Sequence, residues 1–205
     1  MIMTPRPSLP GKCVLDSPPL HYLADFLPSA QADQLLNRLG LELDWQTPEV
    51  RVHGRLHPIP RQQVWMGDHA YRYSGQRFQP CAWHPLADKL RQRIEQHLVT
   101  AQPGHWTFNS LLLNRYQHGE QRMGWHSDNE TELGEHPCIA SVSLGAARPL
   151  RFRWKDRSHA SFNVWLEHGS LLLMGPGVQQ QLEHALLPRR SDGERINLTY
   201  RWVKT

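Results

Sequence analysis

The chain has 205 residues, of which 23 are Lys or Arg and 19 are Asp or Glu, giving a net charge of +4 and an isoelectric point near 9.2. This length fits one domain with a sizeable core, and the mild basic excess is compatible with a polyanionic partner. The three cysteines lie far apart, without a Cys-x-x-Cys pair: Cys13, Cys81 and Cys138. This argues against a disulfide framework or a structural zinc site and favours a reducing cytoplasm, with nucleoid association in a prokaryote.

Residues 1–19 are predicted to be an irregular leader, and residues 20–205 a single domain. The leader contains no apolar run long enough for a signal peptide or a membrane span, so we expect no membrane partner. We also expect the protein to be a monomer. Two helices are predicted in residues 20–107, each with leucines or isoleucines on one face. The first is capped by Ser29 and carries Leu35, Leu36, Leu39 and Leu43; the second follows Pro85 and carries Leu86, Leu90, Ile94 and Leu98.

Between these helices, residues 46–80 are rich in Pro, Gly, Arg and aromatic residues without a sustained period. We predict hairpins and loops there rather than a packed element, and loops of this kind often carry recognition. From Phe108 onward the chain breaks into short apolar segments separated by Gly, Pro or charged turns. The predicted strands are 108–116, 139–144, 150–155, 161–166, 170–174 and 195–203. They indicate a β-sandwich or a double-sheet jelly roll, a mainly β fold with flanking helices.

A candidate metal site lies in Trp125-His126-Ser127-Asp128. On extended backbone, residues two apart point the same way, so His126 and Asp128 offer an imidazole and a carboxylate together. His184 is the candidate third ligand, although in a chain with 13 histidines a surface histidine is the ordinary alternative. Two imidazoles, one carboxylate and open coordination positions are typical of non-haem Fe(II) oxygen chemistry.

The last strand separates polar from apolar residues by face. Arg195, Asn197, Thr199 and Arg201 fall on one face, and Ile196, Leu198, Tyr200 and Trp202 on the other. The polar face is either solvated or lines a cavity between sheets. Asn114 and Tyr116 share a face of an otherwise apolar strand and favour the cavity, because buried polar groups need partners. Guanidinium groups bind carboxylates in bidentate fashion, so a small dicarboxylate such as 2-oxoglutarate is the expected co-substrate.

These motifs resemble the AlkB family of Fe(II)- and 2-oxoglutarate-dependent nucleic-acid dealkylases, and most closely its branch that repairs duplex DNA. The matching segments run from about Leu23 to Trp202: Asn114-Arg115-Tyr116, Trp125-His126-Ser127-Asp128, Ile139-Ala140-Ser141-Val142-Ser143-Leu144-Gly145, His168-Gly169-Ser170-Leu171, His184 and Arg195-Ile196-Asn197-Leu198-Thr199-Tyr200-Arg201. The resemblance implies a double-stranded β-helix over residues 108–205, with helices and a nucleotide-recognition lid over residues 20–107.

The resemblance also implies the chemistry. His126, Asp128 and His184 would hold the iron as the catalytic centre, and six residues would surround the 2-oxoglutarate: Asn114, Tyr116, Arg195, Asn197, Thr199 and Arg201. The family uses O2 to decarboxylate 2-oxoglutarate to succinate and CO2. The same reaction oxidises the methyl group of N1-methyladenine or N3-methylcytosine in DNA, and the methyl carbon leaves as formaldehyde.

The nucleic-acid side is expected to use a flipped or single-stranded base. By resemblance, Tyr73 would face His126 across the base, with Tyr71 at its edge, whereas Trp65 is either part of that site or a core aromatic. A basic cluster in the same region is suited to phosphate contact: Arg51, Arg55, Arg61, Arg72 and Arg77. The full set of expected substrate residues is His53, Arg61, Trp65, Tyr71, Tyr73, Asn129 and Glu130.

Two residues depart from the pattern of the duplex-repairing branch. His53 stands where that branch places an aromatic wedge, so single-stranded DNA becomes a serious alternative substrate. Asn129 stands where that branch usually carries an acid after the iron-binding aspartate. The alternatives to a DNA demethylase are an RNA or protein demethylase of the same class and a non-catalytic nucleic-acid-binding module. Intact His126, Asp128 and His184 argue against the non-catalytic module.

Overall fold

A computed structural model describes residues 9–52, 54–68, 71–73, 76–78, 80–99, 106–190 and 193–204. For residues 52, 71–73 and 76–78 the description extends to the backbone alone. The described chain folds around two antiparallel sheets of seven and four strands, with two small hairpins beside them. This is the jelly roll that the strand pattern and the resemblance predict, so the predicted fold class is confirmed.

Strand numbers follow the order along the chain, which differs from the order of the strands within each sheet. The large sheet runs β1 (Lys12–Leu15), β2 (Leu20–Leu23), β13 (Ser170–Met174), β10 (Ile139–Gly145), β15 (Arg195–Arg201), β8 (Ser110–Tyr116) and β5 (Gln62–Gly67). The small sheet runs β12 (Phe162–Leu166), β11 (Arg148–Trp154), β14 (Leu182–Leu186) and β9 (Met123–His126). The hairpins pair β3 (Glu49–Val52) with β4 (Arg55–Pro58), and β6 (Tyr71–Tyr73) with β7 (Gln76–Phe78).

Both predicted long helices form, α1 over Ser29–Glu42 and α2 over Pro85–Leu98, and a short helix α3 covers Val178–Gln181. The predicted cap of α1 is wrong, because Pro28 occupies the N-cap position without a side-chain hydrogen bond and Ser29 is already helical. In α2, Nδ1 of His84 accepts a hydrogen bond from the Leu86 N–H at 3.2 Å, and Pro85 stands in the first turn, where a missing N–H costs nothing.

The two helices cover one face of the large sheet. Ala32, Leu35 and Leu39 of α1 pack in the same apolar core as alternate residues of the central strands. In β15 those alternate residues are Ile196, Leu198 and Tyr200. The Tyr200 hydroxyl donates to the Ala87 carbonyl of α2 at 2.9 Å. Because side chains alternate along a strand, the polar residues of β15 face the small sheet instead.

The structure corrects four expectations about the elements. The leader is not irregular throughout, since Lys12–Leu15 pair with β2 at the edge of the large sheet. The segment 46–80 is not hairpins and loops alone, because β5 within it pairs with β8. The large sheet therefore extends outside the predicted core of 108–205. Trp202 follows the end of β15 and is half exposed rather than packed with Tyr200. No helix among the described residues combines the length and apolarity needed to span a lipid bilayer.

Candidate active site

A recess lies between the two sheets and is lined by residues of both. The large sheet supplies most of its polar lining and the small sheet most of its apolar wall. The polar residues are Asn114, Tyr116, His126, Asp128, Ser141, His184, Arg195, Asn197, Thr199 and Arg201; the apolar ones are Met123, Leu150, Leu166, Met174 and Leu186. All the polar residues except Ser141 are predicted iron or 2-oxoglutarate residues, so the structure brings both predicted sets together.

The two candidate histidine ligands lie on adjacent strands of the small sheet. His126 of β9 is the register partner of His184 of β14, and their ring centroids are 4.3 Å apart. Asp128 follows two residues after His126 and is 1% exposed. Strand pairing therefore fixes the two imidazoles side by side, and the alternative of a surface His184 does not hold, because that side chain is only 5% exposed.

Hydrogen bonding and burial prepare both imidazoles for metal binding. Nδ1 of His126 lies 2.8 Å from the Gly124 carbonyl, which can only accept, so Nδ1 carries the proton and Nε2 keeps a lone pair. Burial lowers the pKa of His126. Burial and the neighbouring His126 lower the pKa of His184 to about 3. Both rings are therefore neutral at pH 7, the form that binds metals.

Asp128 is held by two partners on different elements. Its Oδ1 accepts from Nη2 of Arg201 at 2.8 Å, and its backbone N–H donates to Oε1 of Gln179 at 2.9 Å. Burial opposes ionisation, but the charge of Arg201 and its hydrogen bond outweigh burial and lower the pKa of this carboxyl. Asp128 is therefore a carboxylate at neutral pH.

These residues fit a cation through the chemistry of their donors. Nδ1 of the buried His184 has no hydrogen-bond partner among the described residues, so this ring still has a nitrogen to satisfy. In the side-chain positions described, no three His, Cys, Asp or Glu residues yet converge at metal-binding geometry. Asp128 turns toward Arg201, and the two imidazoles pack edge to face on strands that pair with each other.

The residues predicted to surround the oxo acid lie on cross-strand rows of the large sheet. Asn197 of β15 pairs with Asn114 of β8, and Arg195 pairs with Tyr116. Nδ2 of Asn197 donates to the Thr199 hydroxyl at 2.9 Å. Its Oδ1 accepts from Nη2 of Arg195 at 2.7 Å. The polar face of β15 is thus a connected network rather than a solvated edge.

Arg195 has no acidic partner in the described chain. Its Nη2 donates to the Ser143 hydroxyl and to Asn197 Oδ1 at 2.9 and 2.7 Å, and its guanidinium lies 5.6 Å from the centroid of the Tyr116 ring. Its Nε has no hydrogen-bond partner among the residues described. Burial lowers the pKa of Arg195 to about 10, so it remains charged at pH 7. A buried cation with only neutral partners is costly unless an anion completes the site.

The predicted nucleic-acid residues fare differently. Arg61 is buried beside the recess, where its Nε donates to Oδ1 of Asn114 at 2.8 Å, so a phosphate-binding role at the surface is not what its position favours. Trp65 is 5% exposed and packs with Leu112, Leu133 and Val203. It is therefore corrected to a core aromatic, because so little of its surface is open to a base.

Asn129 is exposed immediately after Asp128, and Glu130 is half-buried at the N-cap of a single 3₁₀ turn, Thr131–Leu133. Both follow the candidate ligand Asp128 in sequence, and their contact with a base stays a prediction. His53 lies outside the described residues, and the side chains of Tyr71 and Tyr73 are likewise not described, so their predicted contacts with a base stay predictions.

Sequence reasoning missed Gln179, Ser143 and Arg148. Gln179 stands in a run of three glutamines with nothing to single it out, yet its side chain holds the Asp128 backbone. Ser143 lies within a motif that carries the resemblance, but its contact with Arg195 required the register of β10 and β15. Arg148 precedes Pro149 at the start of β11, where the sequence indicates only a charged turn.

Comparison with known proteins places this geometry in a family. The 2OG-Fe(II) oxygenase superfamily matches residues 19–201. The protein named DNA oxidative demethylase ALKBH2 is 37% identical in Mus musculus and in Homo sapiens, each over 85% of this chain and over 76% and 69% of the relative. Alpha-ketoglutarate-dependent dioxygenase alkB homolog 3 of Homo sapiens is 34% identical over 87% of this chain and 64% of its own length.

Solved structures agree on the fold. The structure titled OsALKBH1 superposes with a TM-score of 0.63 at 18% identity, over 89% of this chain and 96% of the other. A Pseudomonas putida prolyl-4-hydroxylase gives a TM-score of 0.59 at 17% identity, over 91% and 92%. The chain therefore belongs to the 2OG-Fe(II) oxygenase superfamily and, within it, to the AlkB family. It is a dioxygenase enzyme, and the family implies Fe(II), 2-oxoglutarate and O2.

Proposed function

We propose that this protein is a DNA repair dioxygenase that demethylates N1-methyladenine and N3-methylcytosine. Its relatives at 37% identity are named DNA oxidative demethylases, which supports the substrate class. In this proposal Fe(II) binds to His126, Asp128 and His184, and 2-oxoglutarate binds in the recess beside them. The products are succinate, CO2, formaldehyde and the unmodified base.

The observation that carries the proposal is the uncompensated charge of Arg195. A guanidinium 2% exposed with no described acid beside it fits a ligand with a carboxylate at that end. The candidate iron ligands line the other part of the same recess. A molecule with one carboxylate for Arg195 and an oxo-acid group for the metal joins the two ends, and 2-oxoglutarate is such a molecule.

The residues of this chain would then position the bound groups, neutralise their charge and exclude water. Bound Fe(II), with 2-oxoglutarate and O2, supplies the oxidising power. Arg201 keeps the Asp128 carboxylate charged and oriented. Gly124 fixes the His126 tautomer through its carbonyl. The apolar wall of Met123, Leu150, Leu166, Met174 and Leu186 limits water beside the reacting centre.

A methylated base inside a duplex cannot reach a recess between two sheets, so the nucleotide must be unpaired or flipped out. Tyr71 and Tyr73, on the β6–β7 hairpin, are proposed to hold the base opposite His126. Arg61, whose side chain lies beside Asn114, is also proposed to contact the substrate. Asn129 and Glu130, in the segment after the candidate iron ligand Asp128, are proposed to do the same. His53 is proposed to contact the bases that flank the lesion.

The decisive experiment supplies Fe(II), 2-oxoglutarate and oxygen together with oligonucleotides methylated at adenine N1 or cytosine N3. Single- and double-stranded DNA and RNA are compared, and both the restored base and succinate are measured. We expect restoration in DNA with stoichiometric succinate. The His126→Ala variant should form neither, because it lacks a proposed ligand.

Other outcomes separate the alternatives. Restoration confined to RNA, or demethylation of a protein, assigns the chain to another substrate within its class. Succinate that depends on His126 without any restored base contradicts the nucleic-acid proposal and leaves the oxygenase intact. A non-catalytic module would show no 2-oxoglutarate-dependent absorption in an anaerobic Fe(II) titration.

We also propose that the protein acts as a monomer in the cytoplasm, on the nucleoid if its source is prokaryotic. All three cysteines are free thiols, in keeping with a reducing compartment. Fractionation of cells followed by gel filtration of the purified protein tests both parts of this proposal.

A further inference from the structure

Arg148 is a second buried arginine close to the recess, and no proposed step uses it. It stands at the start of β11, is 2% exposed and is the largest fully buried side chain among the described residues. It forms no ion pair with an acid in the described chain, and burial lowers its pKa. Such a residue carries an unfavourable desolvation energy, so its contacts must compensate for it.

Those contacts join the ends of both strands that carry the candidate iron ligands. Nη1 of Arg148 donates to the Gln121 carbonyl at 2.9 Å, two residues before β9 begins. Nη2 donates to the Leu187 carbonyl at 2.7 Å, directly after β14 ends. One planar guanidinium therefore fixes two chain segments relative to β11.

The third contact reaches the recess itself. The Arg148 guanidinium lies 5.5 Å from the centroid of the Tyr116 ring, and the guanidinium of Arg195 lies 5.6 Å from the same centroid. Tyr116 lines the recess, whereas Arg148 is absent from its lining. Arg148 can therefore affect a ligand in the recess only through Tyr116, through the strand ends, or through its charge.

We infer that Arg148 is a positioning residue of the oxo-acid site, which holds the Tyr116 ring beside Arg195 and so determines how tightly the recess binds an oxo diacid. This rests on the proposed binding of 2-oxoglutarate. The cation–π attraction is strongest when both groups are desolvated, as they are here, and a fixed ring spares the ligand the cost of ordering it. Arg148 also adds positive charge near Arg195, which favours acids with two carboxylates over acids with one.

The test uses three variants. Arg148→Met removes the charge and both carbonyl contacts but keeps much of the volume. Arg148→Lys keeps a charge that attracts the ring but loses the planar fork. Arg151→Met is the matched control, because Arg151 lies on the same strand but is exposed and donates to the Ser161 hydroxyl at 2.8 Å.

Each variant is titrated anaerobically, first with Fe(II) and then with 2-oxoglutarate, and the metal-to-ligand absorption gives the affinity without turnover. We expect Arg148→Met to bind 2-oxoglutarate about tenfold more weakly, the factor to which about 1.4 kcal/mol corresponds, with Fe(II) affinity changed by less than about threefold. The affinity of Arg148→Lys for 2-oxoglutarate should fall about threefold, and that of Arg151→Met should not change. The ratio of affinities for 2-oxoglutarate and 2-oxobutyrate should fall in Arg148→Met.

A purely structural role would lower the melting temperature of Arg148→Met and leave its affinity for 2-oxoglutarate within twofold of the unmodified protein, and that result overturns the inference. If Arg148→Met does not fold, Arg148→Lys alone tests the inference. A threefold loss of affinity for 2-oxoglutarate in Arg148→Lys supports the inference, and an unchanged affinity contradicts it. If the unmodified protein itself gives no 2-oxoglutarate-dependent absorption, the proposed function fails, which is a different result from either.

Discussion

Arg195 and Arg201 lie on the same face of β15 and are both buried, but their partners give them different roles. Arg201 is paired with the Asp128 carboxylate, so its charge is already used in holding a candidate metal ligand. Within the described chain, Arg195 meets only hydroxyl, amide and ring partners. An incoming carboxylate therefore gains most at Arg195.

Gln179 should affect metal binding without touching the metal. Its side chain is fully buried, accepts from the Asp128 N–H and points Nε2 at the Met174 sulfur at 3.4 Å. Loss of such outer contacts typically weakens metal affinity about 10- to 100-fold. We predict a loss in that range for Gln179→Met, measured by anaerobic Fe(II) titration. Gln180→Met is the matched control, because Gln180 is the exposed next residue of α3; equal affinities in the two variants would contradict the prediction.

Asn129 should influence which methylated base is accepted. It is exposed directly after Asp128, and an amide both donates and accepts hydrogen bonds, whereas a carboxylate only accepts. We predict that Asn129→Asp changes the ratio of activities on N1-methyladenine and N3-methylcytosine while Fe(II) affinity stays the same. Competition between the two methylated oligonucleotides in one reaction measures the ratio, and an unchanged ratio would refute the assignment.

Among the elements, apolar runs bounded by turn residues were predictable as strands, whereas the strand β5 inside a loop-rich segment was not. All six predicted strands appear within about two residues of their expected bounds, because Gly, Pro or charged turns delimit each apolar run. In β5, Val64 and Met66 enter the main core while Trp65 enters a second cluster. A strand buried on both faces shows no alternation of polar and apolar residues. Such a strand is therefore hard to recognise within a loop-rich segment.

The candidate site shows the same limit. The identities of His126, Asp128 and His184 follow from spacing and resemblance, but β14 was not predicted as a strand, because Leu182–Leu186 is short and interrupted by a glutamate and a histidine. The pairing of His184 with His126 is a long-range contact that local pattern cannot supply. Likewise, the proximity of Arg148 and Arg195 to one tyrosine ring arises from packing between sheets.

The backbone beside the start of β15 requires a glycine at position 145. Its φ is +83°, and a Cβ there would collide with the Glu194 carbonyl, whose oxygen accepts from the Ala146 N–H at 2.8 Å. We predict that Gly145→Ala destabilises the protein by about 1 to 3 kcal/mol, or roughly 2–4 °C in melting temperature for each kcal/mol.

Gly40→Ala provides the comparison of opposite sign. Gly40 lies inside α1, where a Cβ would stand 3.8 Å from the Glu194 carboxylate and 4.0 Å from Ile196, at ordinary contact distance. Alanine is favoured over glycine in a helix by about 1 kcal/mol, so this variant should melt higher. Thermal unfolding followed by circular dichroism measures both, and a stabilised Gly145→Ala would contradict the backbone argument.

At the level of the whole molecule, the large sheet connects the β3–β4 hairpin, which is proposed to contact nucleic acid, to the recess proposed to hold 2-oxoglutarate. β5 pairs with β8 in register from Gln62 to Gly67, and β8 carries Asn114 and Tyr116 into the recess. The β3–β4 hairpin precedes β5 closely in sequence, and Arg61, between them, donates to Asn114. A nucleic acid held by the hairpin is therefore only a few residues of chain from the oxo-acid site, which favours coupling between the two.

His53, which follows β3 in sequence, should set the preference for single- or double-stranded DNA. His53 falls in sequence between β3 and β4, before Gly54, whose φ is +81°. A histidine ring is smaller and more polar than the aromatic wedge of the duplex-repairing branch, so less stacking energy is available to separate base pairs. We therefore predict higher activity on single-stranded than on duplex DNA, and a higher ratio of duplex to single-strand activity in His53→Phe. Rates on matched methylated oligonucleotides, alone and annealed, measure that ratio; a lower ratio in His53→Phe would mean that the hairpin does not probe the duplex.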